Sequence, residues 1–152
     1  MNSRFGIVFA SLALLHITNA GNIKEGYVAK IAEIKDKCLK EHNVDHSVVE
    51  DLLKKSIKPE VKAAQCMVAC FFEENGMMKD GKIVSEMVKS NNAHQYEDPA
   101  DVEKANEASD MCDGEVSTDG KDKCLLAADY ALCWVKRTEE AGLPQIDFAN
   151  SS

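Results

Sequence analysis

Apolar residues return every three or four positions along most of this chain. No stretch alternates apolar and polar residues for long enough to predict a sheet, so the fold class expected is all-α. In residues 22–42, Tyr27, Ile31, Ile34 and Cys38 recur by four, three and four, with Lys and Glu over much of the remaining surface. That spacing predicts an amphipathic helix with a cysteine in its buried stripe. Ser47-Val48-Val49-Glu50 has the spacing of a capping box and predicts a short helix with Val48, Val49, Leu52 and Leu53 inside. Residues 59–76 open on Pro59 and close on Gly76, with Val61, Ala64, Met67, Val68, Phe71 and Phe72 mostly three and four apart, again a helix. Further on, Ile83, Val84, Met87 and Val88 suggest a short helix over 82–90, and the polar residues 91–97 a loop. Asp98-Pro99 has the order of an N-cap and first helical residue, starting a helix through Val102, Ala105 and Cys112. After a turn-rich loop at 113–121, residues 123–141 form the last helix, with Gly142 past its end. Its middle is apolar nearly all round and interrupted only by Asp129, so it is expected to be central.

The cysteines refine this picture. Cys66 and Cys70 are four apart and look the same way from one helix, a geometry poor for bonding each other, so each is expected to reach a different partner. Cys124 and Cys133 are nine apart and face opposite ways, so neighbours on two sides should hold the last helix. Six cysteines allow 15 pairings, and this geometry disfavours the two intra-helix ones without choosing among the rest.

Residues 1–20 read as a secretory signal peptide: Arg4, an apolar run over 5–15, then Thr18-Asn19-Ala20. The run is well short of the ~20 residues of a spanning helix. What remains, residues 21–152, is sized for one domain with a tail at 143–152. All six cysteines follow the expected cut, so three disulfides are expected, and the spacings lack the paired knuckles zinc prefers. Without the leader, 17 Lys and Arg face 26 Asp and Glu, a net charge of −9. Such a chain is a poor partner for nucleic acid or an anionic membrane.

Between successive cysteines lie 27, 3, 41, 11 and 8 residues. With the segment from Cys124 through Ala127, Ala128, Tyr130 and Ala131 to Cys133, this order resembles the insect odorant-binding protein family of six-cysteine pheromone- and general-odorant-binding type. The resemblance implies the pairing Cys38–Cys70, Cys66–Cys124 and Cys112–Cys133. It also implies about six helices around an apolar cavity holding one small hydrophobic molecule, secretion into an extracellular fluid such as sensillar lymph, no cofactor and no catalysis. A chemosensory receptor as second partner, and a monomer or weak homodimer, follow from the same resemblance.

The residues expected to line the cavity are Met67, Phe71, Met87, Leu126, Tyr130 and Trp134. Met adapts its shape, and Tyr and Trp bring a polar tip to an apolar wall. For each the alternative is core packing, which is the expectation for Phe72 and Leu132. Phe148 is expected to close the pocket mouth from the tail, or else to fray with the terminus. His42, His46 and His94 are expected on the surface, with acid-weakened binding as a hypothesis from the family. Two rival readings remain. A small secreted phospholipase needs a buried His/Asp constellation and a Ca²⁺ loop, neither of which the pattern offers. A helical signalling or defence protein needs an exposed apolar patch or a cationic face, and the acidity opposes the latter. A carrier of small lipophilic molecules outside olfaction is a further variant of the main reading.

Overall fold

The computed structural model describes residues 22–147, so the expected leader and Phe148 lie outside the described residues. In chain order these residues form α1 (Glu25–His42), α2 (Ser47–Lys55), α3 (Lys62–Glu74), a hairpin of β1 (Met78–Lys79) and β2 (Lys82–Ile83), α4 (Ser85–Gln95), α5 (Pro99–Glu115) and α6 (Lys123–Glu140). The fold is all-α, as the periodicity implies.

The helix ends show why these segments stop and start. Asp98 caps α5 by accepting from the Ala100 N–H at 2.9 Å, with Pro99 in the first turn, where its missing N–H is harmless. Asp122 caps α6 by accepting from the N–H groups of Cys124 and Leu125, both at 3.0 Å. At the other end of α6, Gly142 has φ +71°. The Gly142 N–H reaches the Glu139 carbonyl and the Leu143 N–H the Thr138 carbonyl. This is a Schellman termination, which reverses the chain and buries Leu143.

Four boundaries differ from the sequence pattern. α3 starts at Lys62 rather than Pro59, because the buried Gln65 side chain donates to the Pro59 and Glu60 carbonyls and holds that segment extended. Val61, counted in the inner stripe, is therefore 70% exposed. The capping box at Ser47 does not form: Ser47 is already helical, and its N–H is met by the Asp45 carboxylate at 2.8 Å. The expected helix at 82–90 starts later, because Asp80 (φ +51°) and Gly81 (φ +74°) make a tight turn that pairs Met78 with Ile83. That helix then runs on through residues 91–95, where a loop was expected, since the polar side chains there are buried and bonded. Asn91 donates to the Met87 and Asn75 carbonyls, and Asn92 to Asn106 and Ser109.

The covalent frame links α1 to α3 through Cys38–Cys70, α3 to α6 through Cys66–Cys124, and α5 to α6 through Cys112–Cys133. The pairing is the one implied by the resemblance. α6 is braced from two sides, as the opposed directions of Cys124 and Cys133 require. The main core lies between α3, α6, α1 and α2. A smaller one joins Tyr96, Ala105 and Leu143 to Ile23, Val102 and Ala141. The helices α2 and α4 carry no cysteine and are held by packing, hydrogen bonds and ion pairs, among them Lys54–Asp147 and Lys89–Asp110.

Asp129, the one charge in the apolar run of α6, is largely buried and bonded to Lys58 at 2.9 Å and Lys121 at 2.7 Å. Burial pushes its carboxyl up, but the bonds from Lys121 and Lys58 outweigh this and leave it below the usual carboxylate range. A depressed folded-state pKa gives stability that is present above the unfolded value and lost as pH falls through the folded one. Asp129→Asn is therefore expected to cost about 1–3 kcal/mol at pH 7. Urea titrations of both proteins should show this gap closing below about pH 4.

Candidate functional site

Among the described residues a cavity of about 120 Å³ opens between the helices. A cavity of roughly 150 Å³ lined by apolar side chains holds a benzene ring, so the space here is close to, and somewhat smaller than, that of a one-ring guest. The body of the wall is apolar. α2 contributes Val49, Leu52 and Leu53, α3 Met67, Val68 and Phe71, the segment before the hairpin Met77, and α6 Ala131 and Val135. Each helix presents residues three or four apart, which is why one face of each suffices.

Of the residues expected to line a pocket, Met67, Phe71, Tyr130 and Trp134 do so. Met87 does not. The inner face of α4 is Val88, Asn91, Asn92 and Gln95, and Met87 stands beside it, 41% exposed. Leu126 is buried but away from the cavity, in the main core. It lies one turn nearer the Cys66–Cys124 bridge, which brings the α3 and α6 backbones to a Cα–Cα distance of 4.4 Å and leaves no space there. Phe72, expected in the core alone, borders the cavity and meets Tyr130 edge-on, with ring centroids 6.1 Å apart. Leu132 packs against the main core as expected.

Polar groups at the wall are Tyr27 and Lys35 of α1, Asn91, Asn92 and Gln95 of α4, and Tyr130 and Trp134 of α6. The Tyr130 hydroxyl donates to the Ser109 carbonyl at 3.3 Å; burial and then the nearby Asp113 push its ionisation up. Burial pushes Tyr27 up to about 12, so its hydroxyl stays neutral at any physiological pH. The buried Lys35 ammonium lies 2.9 Å from Asp36 and 2.9 Å from His46 Nε2. His46 is thus a half-buried partner of the wall rather than a free surface group. The Trp134 indole N–H is buried with no acceptor among the described residues. Sequence reasoning missed Gln95 and Lys35, whose charge or polarity reads as surface. It counted Tyr27 in a buried stripe without assigning it to the cavity.

The tail returns to this site. Gln145 donates to Thr138 Oγ1 at 3.1 Å, Asp147 reaches Lys54 of α2 at 3.5 Å, and Ile146 borders the cavity between them. Ile146→Ala removes apolar wall worth about 1 kcal/mol of guest contact. It is expected to weaken apolar probe binding about fivefold, measured by fluorescence titration, with little change in melting temperature.

Glu41, His42 and Cys70 bring ligand-type atoms together, but the Cys70 sulfur is bonded to Cys38 and is no thiolate. No helix among the described residues is long and apolar enough to cross a membrane.

The model of the PBP/GOBP family matches residues 21–137. No curated protein sequence matches the chain significantly. The solved structures to which the chain is similar include three insect proteins. The odorant-binding protein dmelOBP28a from Drosophila melanogaster is 25% identical over 80% of this chain and 100% of its own, with a TM-score of 0.64. Odorant binding protein 5 of Apis mellifera is 21% identical over 76% of this chain and 92% of its own, with a TM-score of 0.66. The fatty acid binding protein OBP56a from the oral disk of the blowfly Phormia regina is 23% identical over 77% of this chain and 96% of its own, with a TM-score of 0.55.

Proposed function

The chain belongs to the PBP/GOBP family, and from that premise we propose that it is a secreted carrier that takes one small apolar molecule into the cavity between α1, α2, α3, α4 and α6. The observation that carries this reading is the cavity itself, an almost wholly apolar space kept open inside a fold whose helices are tied together by disulfides. An empty apolar space forfeits dispersion contacts, and a guest restores them. A guest burying roughly 250 Å² of apolar surface gains about 6 kcal/mol by leaving water, which corresponds to a dissociation constant of order tens of micromolar.

Solubilising such molecules and delivering them toward chemosensory receptors is the role that best fits this chemistry, with Met67, Phe71, Tyr130 and Trp134 in contact with the guest. The expected leader at residues 1–20 and three bridges fit an oxidising extracellular fluid. Family membership supports binding rather than catalysis. The largely buried Asp129 is engaged by two lysines and has no histidine partner among the described residues. Titration with N-phenyl-1-naphthylamine tests the reading. The oxidised protein should bind one equivalent in the micromolar to tens-of-micromolar range and release it to medium-chain alcohols, aldehydes or esters. Absence of binding, or chemical turnover of the competitor, contradicts it.

A further inference from the structure

Besides the Trp134 indole N–H, two polar groups at the cavity wall make no side-chain hydrogen bond among the described residues. Gln95 is 3% exposed and borders the cavity, yet its carboxamide makes no hydrogen bond among the described residues. The neighbouring α4 amides differ: the Asn91 and Asn92 side-chain N–H groups are taken up by Met87, Asn75, Asn106 and Ser109. The Tyr27 hydroxyl is likewise without a partner among the described residues. The two come from adjoining helix ends. The Lys24 N–H donates to the Gln95 backbone carbonyl at 2.8 Å and ties the start of α1 to the end of α4, and Tyr27 lies in the first turn of α1.

An amide that meets a dry guest without a partner forfeits about 1–3 kcal/mol, and a hydrogen bond from the guest recovers part of that. From this geometry, and resting on the carrier reading above, we propose that Gln95, aided by Tyr27, is the specificity-determining head-group site of the cavity. It selects guests that carry one neutral oxygen function, an alcohol or carbonyl, at the end of a short apolar body. The carboxamide N–H donates to the guest oxygen, and its C=O accepts from a guest hydroxyl. Tyr27 offers a hydroxyl that donates or accepts. A carboxylate is a poor fit at this site, because it would lose its hydration against neutral dipoles alone. The competing group is Lys35, whose ammonium suits an acidic guest.

Displacement of N-phenyl-1-naphthylamine by three competitors of similar size, hexan-1-ol, heptane and hexanoate, separates these possibilities. In Gln95→Met, which keeps length and volume, hexan-1-ol should lose about tenfold in affinity, the worth of a good hydrogen bond. Heptane and the probe itself should stay within about twofold of wild type. Tyr27→Phe, which keeps the ring, should cost hexan-1-ol a smaller factor in the same direction. Equal loss for hexan-1-ol and heptane overturns the proposal, since Gln95 would then act by packing. So does hexanoate binding more tightly than hexan-1-ol and losing its affinity in Lys35→Met but not in Gln95→Met. In both of those outcomes the probe still binds and the carrier reading stands. If the wild-type protein does not take up the probe at all, the carrier reading fails and this proposal fails with it.

Discussion

Replacing Cys66 and Cys124 together by alanine is expected to destabilise the protein by about 4 kcal/mol, more than removal of either other bridge. The reason is loop length. The Cys66–Cys124 bridge spans 58 residues, against 32 for Cys38–Cys70 and 21 for Cys112–Cys133. In the chain-entropy model the restraint on the unfolded chain grows with the logarithm of that span, giving about 4 kcal/mol for the longest and about 3–4 kcal/mol for the others. The position reinforces the number. Cys66–Cys124 joins α3 to α6, the pair with the most extensive packing, and it lies among Leu126, Ala127 and Val68 of the main core. A loss of this size should lower the melting temperature by roughly 10–20 °C, read by circular dichroism. The other two double replacements should fall less. A shift no larger than theirs would show that the bridge does not restrain the chain as its span suggests.

Ala131→Leu should abolish or greatly reduce probe binding without unfolding the protein. Ala131 is on α6, faces the cavity, and is surrounded by Tyr130, Trp134 and Val135 on the same wall. An isobutyl group in place of its methyl grows into the empty space and occupies the room a guest would take. Filling a void adds dispersion contacts, whereas forcing a side chain into packed core costs about 1–3 kcal/mol. The expected outcome is therefore a dissociation constant raised more than about tenfold with a melting temperature equal to or above that of wild type. The opposite pairing, unchanged binding with a lowered melting temperature, would mean that the position is packed core and the guest goes elsewhere.

The sequence showed the frame more clearly than the cavity, for a physical reason. The four-residue spacing of Cys66 and Cys70 forces two separate partners, and helix geometry makes this visible without a structure. Asp98-Pro99 and Gly142 are local signals whose meaning depends on a few neighbouring residues, and each terminus appears where those residues put it. Residues 91–95 misled because polarity was read as exposure. The Asn91 and Asn92 amides point inward and meet partners on the segment after α3 and on α5, from which they are separated in sequence by 14 to 17 residues. Gln95 went unnoticed for the same reason. Lys35 reads as one of many surface cations on α1, and only the position of α2 across from it shows that it is covered. The hairpin signal was present in Asp80-Gly81 between Met77-Met78 and Ile83-Val84, but the strands are two residues long and leave no alternating pattern. Met87 stands at the edge of its helix face and is exposed, while Leu126 shows the limit of periodicity. It tells which residues face inward, but not whether what they face is a neighbour or a space.

The methionines give the most direct measurement of that difference. Met67 and Met77 border the cavity, while Met87 and Met111 are exposed. With ¹³C-methyl methionine labelling, titration of hexan-1-ol into the oxidised protein should move the Met67 and Met77 methyl resonances in a saturable, one-site manner and leave Met87 and Met111 in place. Shifts confined to Met87 or Met111, or no saturable shift at Met67 and Met77, would contradict a guest inside this fold.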